Sequence, residues 1–223
     1  DDVTLLTDIA DVPKDLAPDA IVMAVKPQNM AAVAPAYKPL AAGAVTLSIA
    51  AGTPISFFEN ALGPVAVVRA MPNTPAAIGR GMSVLCPNAA TTPQQRALAE
   101  TLMQAAGAVD WIDDEGLMDA GTESAGSGPA YVFHLIEAMA AAGEALGLSP
   151  ELAAKSALET VAGAGELARQ ASEDPATLRQ NVTSPGGTTA AALGVLMADD
   201  GLTALMTKAM TAARDRGREL AKG

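Results

Sequence analysis

The strongest constraint on the fold is a change of pattern near the middle of the chain. Up to about Glu115, short apolar runs alternate with helical segments, and the strand-like runs are AIVMAV (20–25), AVTLSIA (44–50), PVAVVRA (64–70), MSVLC (82–86) and AVDWI (108–112). Continuous apolar runs are typical of parallel strands that are covered on both faces. After Glu115 the strand-like runs stop. The sequence therefore predicts an α/β fold with an open parallel sheet, followed by an all-helical region.

Helical segments fill the spaces between the strand-like runs and make up the second half of the chain. They are predicted at 28–40, 54–61, 93–106, 129–146, 150–171, 175–181, 187–198 and 202–222. The stretch 131–146 carries Tyr131 and Leu135 on one side and Val132 and Ile136 on the other. A helix that is apolar on several sides is buried on more than one face. We therefore expect the helical half to form a homodimer, with assembly of dimers into a higher oligomer left open.

Composition narrows the classes of partner. The formal net charge is −11 and Lys/Arg clusters are scarce, which argues against binding to nucleic acid or to an anionic membrane surface. No apolar run reaches the length of a membrane span, and no signal peptide is visible, so we expect a cytoplasmic protein with a small-molecule substrate. The single cysteine, Cys86, is interpreted as a buried apolar residue. The single histidine, His134, is interpreted as packed or hydrogen-bonded, and no metal site is expected.

The segment NVTSPGGTTAAAL (181–193) sets polar residues, a proline and two glycines against an alanine-rich run. One interpretation is a helix start, with Ser184 as N-cap and Pro185 at the first helical position. It leaves Gly186 and Gly187 unexplained, because a glycine in the first turn weakens a helix by about 1 kcal/mol relative to alanine. The other interpretation is an anion site, where bare backbone N–H groups and the Thr188 and Thr189 hydroxyls act as donors. The segment alone leaves both open.

Ligands of open α/β sheets bind outside the carboxyl ends of the strands. The residues that follow the first three predicted strands are Lys26–Gln28, Ala50–Gly52 and Arg69–Thr74. Lys26 is either a cation that meets a phosphate or hydroxyl of a cofactor, or a solvated lysine. Ala50–Gly52 either let a ligand approach the backbone or form a tight turn. Asn73 either binds the cofactor or orders its loop by capping its own backbone.

Three motifs, in order, carry a family resemblance: RAMPNTPAAIG (69–79), AGSGPAYVFHLIEA (125–138) and NVTSPGGTTAAAL. With AVKPQ (24–28) and SIAAG (48–52), they make the chain similar to the pyrroline-5-carboxylate reductase family along nearly its whole length. The resemblance implies reduction of L-1-pyrroline-5-carboxylate to L-proline with NADPH or NADH, the last step of proline biosynthesis. It also implies a Rossmann-type dinucleotide-binding domain over residues 1–115 and an all-helical dimerisation and substrate domain over residues 116–223.

The resemblance also implies roles for single residues. The cofactor-binding set is Ala24, Val25, Lys26, Pro27, Ala50, Ala51, Asn73 and Asn181. The substrate-binding set is Glu115, Gly186, Gly187, Thr188 and Thr189. Within it, the glycine-rich helix start binds the substrate carboxylate, and Thr189 is catalytic because its hydroxyl hydrogen-bonds the ring nitrogen. Glu115 either faces the positive charge of the iminium or is a solvated carboxylate.

One departure concerns the glycine-rich turn that holds the cofactor pyrophosphate in this family. The comparable match here is GAGELA (163–168), which follows a predicted helix and not a strand, so we interpret it as accidental. We therefore expect an N-terminally incomplete chain, and the choice between NAD and NADP stays open. One alternative is a catalytically incompetent helical dimerisation fragment of such an enzyme. Another, a relative with a different nicotinamide or deazaflavin substrate pair, is disfavoured by the SPGGTT and GSGPAY motifs.

Overall fold

A computed structural model describes residues 3–118 and 125–220 of the chain. The chain folds as two compact units. The sheet unit comprises Asp1–Ser127 with Arg216–Gly223, and the helical unit comprises Gly128–Asp215. The sequence predicted the boundary between the two domains after Glu115, whereas the two units meet between Ser127 and Gly128 in the chain. The assignment of a dinucleotide-binding and a dimerisation domain to these parts of the chain stays a prediction.

The sheet unit is built on five strands that lie side by side in chain order. Their bounds are β1 (Ala20–Met23), β2 (Val45–Ser48), β3 (Ala66–Met71), β4 (Gly81–Pro87) and β5 (Gly107–Trp111). The pairs β1–β2, β2–β3 and β4–β5 are parallel. All five strand-like runs of the sequence are therefore strands of one mostly parallel sheet.

The pairing of β3 with β4 is antiparallel, which corrects the expectation of an all-parallel sheet. The connection between Met71 and Gly81 holds only a short 3₁₀ helix, Thr74–Ile78. A parallel pair needs a crossover of about a dozen residues or more, usually with an α-helix. The connection is too short for that, so the chain returns along the neighbouring strand.

Three α-helices and four 3₁₀ helices complete the described part of the sheet unit before Ser127. The α-helices are α1 (Pro27–Val33), α2 (Ile55–Leu62) and α3 (Pro93–Gln104), and the 3₁₀ helices are η1 (Ile9–Asp11), η2 (Ala34–Leu40), η3 (Thr74–Ile78) and η4 (Glu115–Leu117). The predicted helix 28–40 is α-helical only as far as Val33. Pro35 and Pro39 lack the N–H that an α-helix requires, and the chain continues there as η2.

The sheet buries an apolar cluster on each face. Phe58 of α2 and Met30 of α1 are buried on one face, together with Met118. Ala99 and Met103 of α3 are buried on the other. Cys86 is 1 % exposed in the first cluster, and burial, followed by the charge of Glu115, raises the pKa of its thiol. A buried, protonated thiol is unreactive, so the interpretation of Cys86 as an apolar core residue is confirmed.

The helical unit contains no strand in its described residues. Its helices are α4 (Gly128–Ala145), α5 (Pro150–Gln170), α6 (Pro175–Asn181), α7 (Thr188–Leu196) and the part of α8 (Leu202–Leu220) up to Asp215. Ser149 and Asp174 cap α5 and α6 by accepting backbone N–H groups. At Gly143, α4 comes so close to α5 that an added Cβ would lie 3.3 Å from the Ala153 Cβ. Small side chains thus set the spacing of this helix pair.

The helical unit buries very little of its own apolar surface. Among its described residues only Ala153 and Ala157 are buried. Large apolar side chains stay exposed instead, and those that are more than half exposed include Phe133, Leu146, Leu167, Val195 and Leu205. A monomeric protein rarely exposes apolar surface on this scale, so these helices need a partner. No helix among the described residues combines the length and the apolar character of a membrane span.

We predict that a second copy of the chain covers these helices. Light scattering during gel filtration should give twice the mass of one chain at micromolar concentration, because the helical unit has almost no core without a partner. A monomeric mass, with the helical circular dichroism signal intact, would show that the helical unit is stable without a second copy.

Candidate functional site

The predicted cofactor-binding residues of the sheet unit follow strands that run in the same direction. Because β1, β2 and β3 are parallel, the loops after their carboxyl ends lie at one edge of the sheet. After β1, Ala24 and Lys26 are exposed and Val25 is half-buried. Lys26 is the N-cap of α1, without a side-chain capping bond, and Pro27 begins the helix. The structure therefore leaves the Lys26 ammonium group at this edge in contact with solvent.

The loop after β2 is a turn of small residues. The Thr53 N–H donates to the Ala50 carbonyl at 3.4 Å, and the Ala50 N–H donates to the Ser48 hydroxyl at 3.3 Å. Gly52 has φ +69°, a conformation that glycine adopts without strain. Ala50 is buried and Ala51 is exposed. The segment forms a tight turn, and contact of this turn with a cofactor stays a prediction.

Asn73 links its loop to the following strand, β4, and to Ala125. Its side-chain amide donates to the Ala125 carbonyl at 2.9 Å, and its Oδ1 accepts the Met82 N–H at 2.9 Å. Asn73 is the N-cap of η3 but makes no side-chain capping bond, so the expectation that it caps its own backbone is wrong. The loop is ordered instead by these two hydrogen bonds, one to β4 and one to Ala125. Direct contact with a cofactor stays a prediction.

Glu115 is bonded at the start of η4. Its Oε1 accepts the backbone N–H of Ile55, the first residue of α2, at 2.9 Å. The same oxygen accepts Nη1 of Arg69 at 3.0 Å. The Arg69 side chain is 10 % exposed and that of Glu115 is 30 % exposed. Arg69 lies inside β3 and not in the loop after it, and this ion pair was not predicted. Contact of Glu115 with substrate stays a prediction.

The glycine-rich segment of the helical unit differs from the predicted helix start. The Gly187 N–H donates to the Ser184 carbonyl at 3.0 Å and closes a turn with Pro185 and Gly186 at its centre. Gly186 has φ +70°, which suits the third position of a type II turn and not a helix. The N-cap of α7 is therefore Gly187, and the prediction of Ser184 as N-cap and Pro185 as first helical residue is wrong.

The start of α7 presents backbone donors without a capping side chain. Gly187 makes no side-chain capping bond, and Thr188 and Thr189, the first two helical residues, are exposed. Asn181, at the end of α6, is exposed as well. Beside these helices is a cavity of about 390 Å³ lined by Arg179, Gln180, Thr183, Ala190, Leu193, Gly194 and Met197. Whether an anion binds these N–H groups stays a prediction.

The predicted site residues thus fall into two sets, one within each unit. The sheet unit holds those after β1, β2 and β3 together with Glu115, and the helical unit holds Asn181 and Gly186–Thr189. His134 belongs to neither set. Its side chain is 81 % exposed, and its Nδ1 lies 3.0 Å from a carboxylate oxygen of Glu137. In the described residues, no group of three or more His, Cys, Asp or Glu side chains could hold a metal ion.

Comparisons with known proteins agree on one family. The family model described as pyrroline-5-carboxylate reductase dimerisation matches residues 115–220. The pyrroline-5-carboxylate reductase of Pseudomonas aeruginosa is 47 % identical over 209 residues, which are 92 % of this chain and 75 % of that protein. A solved pyrroline-5-carboxylate reductase from Coxiella burnetii matches with a TM-score of 0.86 and 39 % identity over 91 % of this chain and 76 % of that one. Pyrroline carboxylate reductase from Plasmodium falciparum, solved with NADP bound, gives a TM-score of 0.76 and 31 % identity over 91 % and 77 %.

We predict that Gly186→Ala lowers the free energy of unfolding by about 1 kcal/mol, because alanine is strained at positive φ. Nothing lies within 4 Å of an added Cβ at this position, so the cost comes from the backbone. Gly194→Ala is the matched control, since Gly194 is inside α7 with equally open space and alanine there should stabilise the helix by up to about 1 kcal/mol. Urea unfolding at one protein concentration measures both, and equal signs would contradict the assigned turn.

Proposed function

The chain belongs to the pyrroline-5-carboxylate reductase family, and we propose that it reduces L-1-pyrroline-5-carboxylate to L-proline with NADPH or NADH. The observation that carries the proposal is the bare start of α7. Gly186 and Gly187 bring the backbone to a helix N-terminus without a capping side chain. The substrate is a carboxylate, and such a terminus favours anions through its free N–H groups and the helix dipole.

The residues at the carboxyl edge of the sheet unit fit a dinucleotide. Ala24, Ala50, Ala51 and Gly52 are small, and an added Cβ at Gly52 would meet nothing within 4 Å. A flat ring can therefore approach the backbone, while the exposed ammonium group of Lys26 is available to a phosphate or a ribose hydroxyl. Val25, Pro27, Asn73 and Asn181 complete the proposed cofactor-binding set. When bound, the nicotinamide supplies the hydride, and this chain supplies orientation and charge.

Thr189 is the proposed catalytic residue. Reduction adds a hydride to the imine carbon and a proton to the ring nitrogen, so hydrogen bonding at that nitrogen changes during the reaction. A hydroxyl group can either donate or accept, and Thr189 presents one at the exposed first turn of α7. The backbone N–H groups of Thr188 and Thr189, in the same turn, hold the substrate carboxylate, and Gly186 and Gly187 keep its approach clear of side chains. The charge of the transition state is thereby met by groups that are fixed in advance.

The proposed working form is a homodimer in the cytoplasm. The chain carries the dimerisation domain of its family over residues 115–220, and the exposed apolar side chains of the helical unit support an interface there. The single cysteine, buried at position 86, fits a reducing compartment. Assembly of such dimers into a higher oligomer stays a prediction.

The direct test is an assay of the complete protein with L-1-pyrroline-5-carboxylate and either NADPH or NADH. We expect loss of nicotinamide absorbance that depends on the imine, with an equal amount of proline formed. The preferred cofactor is the one with the higher kcat/KM. Absence of proline with both cofactors, from protein that is folded and dimeric, would overturn the proposal.

Thr189→Val tests the proposed catalytic group. It removes the hydroxyl while keeping the branched shape, and kcat/KM for the imine should fall about 100-fold, or about 3 kcal/mol. The dissociation constant for the cofactor should hardly change. Thr188→Val is the control, because neighbouring helical residues point about 100° apart and cannot both face the nitrogen. Its effect should be smaller and lie mainly in KM. An unchanged rate for Thr189→Val would refute the role of Thr189.

A further inference from the structure

We infer that Glu115 is a positioning residue, which holds the β2–α2 turn in place for the cofactor through α2 and Arg69. The inference rests on the proposed function and deepens it, because Ala50 and Ala51 of that turn belong to the proposed cofactor-binding set. In this role Glu115 acts through α2 and does not contact the substrate.

Helix α2 has no capping side chain of its own. Its N-cap is Pro54, which makes no side-chain capping bond. The first N–H groups of a helix have no partner inside the helix. The Ile55 N–H instead donates to Glu115 Oε1 at 2.9 Å, from a residue 60 positions later in the chain. A carboxylate at a helix N-terminus is further stabilised by the helix dipole. Glu115 thus takes the place of the missing cap.

Arg69 fixes the position of the Glu115 carboxylate. Arg69 is 8 % exposed and lies between Val67 and Met71 on the face of the sheet that carries the first apolar cluster. A buried charge in such surroundings requires a partner, and Nη1 of Arg69 donates to the same Glu115 oxygen at 3.0 Å. Arg69 is in register with Ser48, the last residue of β2. The pair therefore lies at the level where the β2–α2 turn begins.

The β2–α2 turn is weakly held by its own hydrogen bonds. Its two internal hydrogen bonds measure 3.3 and 3.4 Å, longer than the usual 2.9–3.0 Å. The following helix is anchored by Ile55, which is 8 % exposed and bonded to Glu115. Met118, fully buried near the end of η4, fixes the backbone that carries Glu115. Ile49 and the buried Ala50 tie the start of the turn to the sheet, and Glu115 fixes its far end, where α2 begins.

The test measures hydrogen exchange and cofactor binding in the complete protein. In Glu115→Ala, the amides of residues 50–57 should exchange about tenfold faster in the absence of cofactor, because a bond to a charged group is lost. The dissociation constant for NADPH, or for NADH if the wild type prefers it, should rise about tenfold. KM for the imine should stay within about twofold. Exchange needs neither cofactor nor turnover, so this result stands whether or not the proposed reaction is correct.

Asp113→Ala is the matched control. Asp113 is a carboxylate two positions away, and its side chain is 87 % exposed and 3.5 Å from Arg96. It removes the same charge without touching α2, so exchange at residues 50–57 and cofactor binding should match the wild type. If Asp113→Ala and Glu115→Ala had equal effects, the loss of one negative charge would explain both. That outcome would overturn the inference.

Two conservative variants keep the test decisive if Glu115→Ala fails to fold. Glu115→Gln keeps the length and an acceptor oxygen but loses the charge, whereas Glu115→Asp keeps the charge and withdraws the oxygen from Ile55. A positioning role predicts faster exchange at residues 50–57 and weaker cofactor binding in both variants, because Glu115→Gln leaves the Arg69 charge without a carboxylate and Glu115→Asp loses the bond to Ile55. Contact with the iminium predicts instead that Glu115→Gln raises KM for the imine while exchange at residues 50–57 is unchanged. Unchanged exchange in both variants would overturn the inference.

Discussion

The buried charge of Arg69 is the constraint on which the sheet unit depends most. An arginine inside a strand can be buried only if a carboxylate reaches it, because an unpaired charge in an apolar cluster costs several kcal/mol. Glu115 reaches it from the segment after the last strand, and the same oxygen caps α2. The consecutive elements α2 and β3 are thereby joined at one point to a segment 60 and 46 positions later in the chain. The turn that leads from β2 into α2 takes its position from that point.

The helical unit, in contrast, has almost no buried core. Only Ala153 and Ala157 are buried among its described residues, so its stability depends on apolar surface that a second copy covers. Membership of a family with a named dimerisation domain gives the same conclusion from an independent direction. The free energy of unfolding of such a unit includes the association of two copies, so it depends on protein concentration.

The sequence predicted those features of the fold that depend on local patterns. Continuous apolar runs located all five strands, and the Pro150 and Pro175 starts located α5 and α6. The failures have physical causes. The direction of β4 is set by the length of the connection before it, and the start of α7 is set by the positive φ of Gly186, which Ser184 and Pro185 could not reveal.

The contacts of the candidate site could be predicted only in part. The spacing of small residues after the strands led to the β2–α2 turn, and the two glycines led to the bare start of α7. The Arg69–Glu115 pair was missed, although an arginine within an apolar run signals a buried charge. The same part of the sequence offers Asp110, Asp113 and Asp114 as rival partners. Only the path of the chain after β5 selects Glu115.

A double-mutant cycle between Arg69 and Glu115 measures directly how much their ion pair stabilises the sheet unit. The free energy of unfolding is compared for the wild type, Arg69→Met, Glu115→Gln and the double variant, at one protein concentration. An ion pair made through one carboxylate oxygen, with both side chains mostly buried, predicts a coupling energy of about 2 kcal/mol. A coupling near zero, with both single variants folded, would contradict the claim that this ion pair holds the sheet unit together.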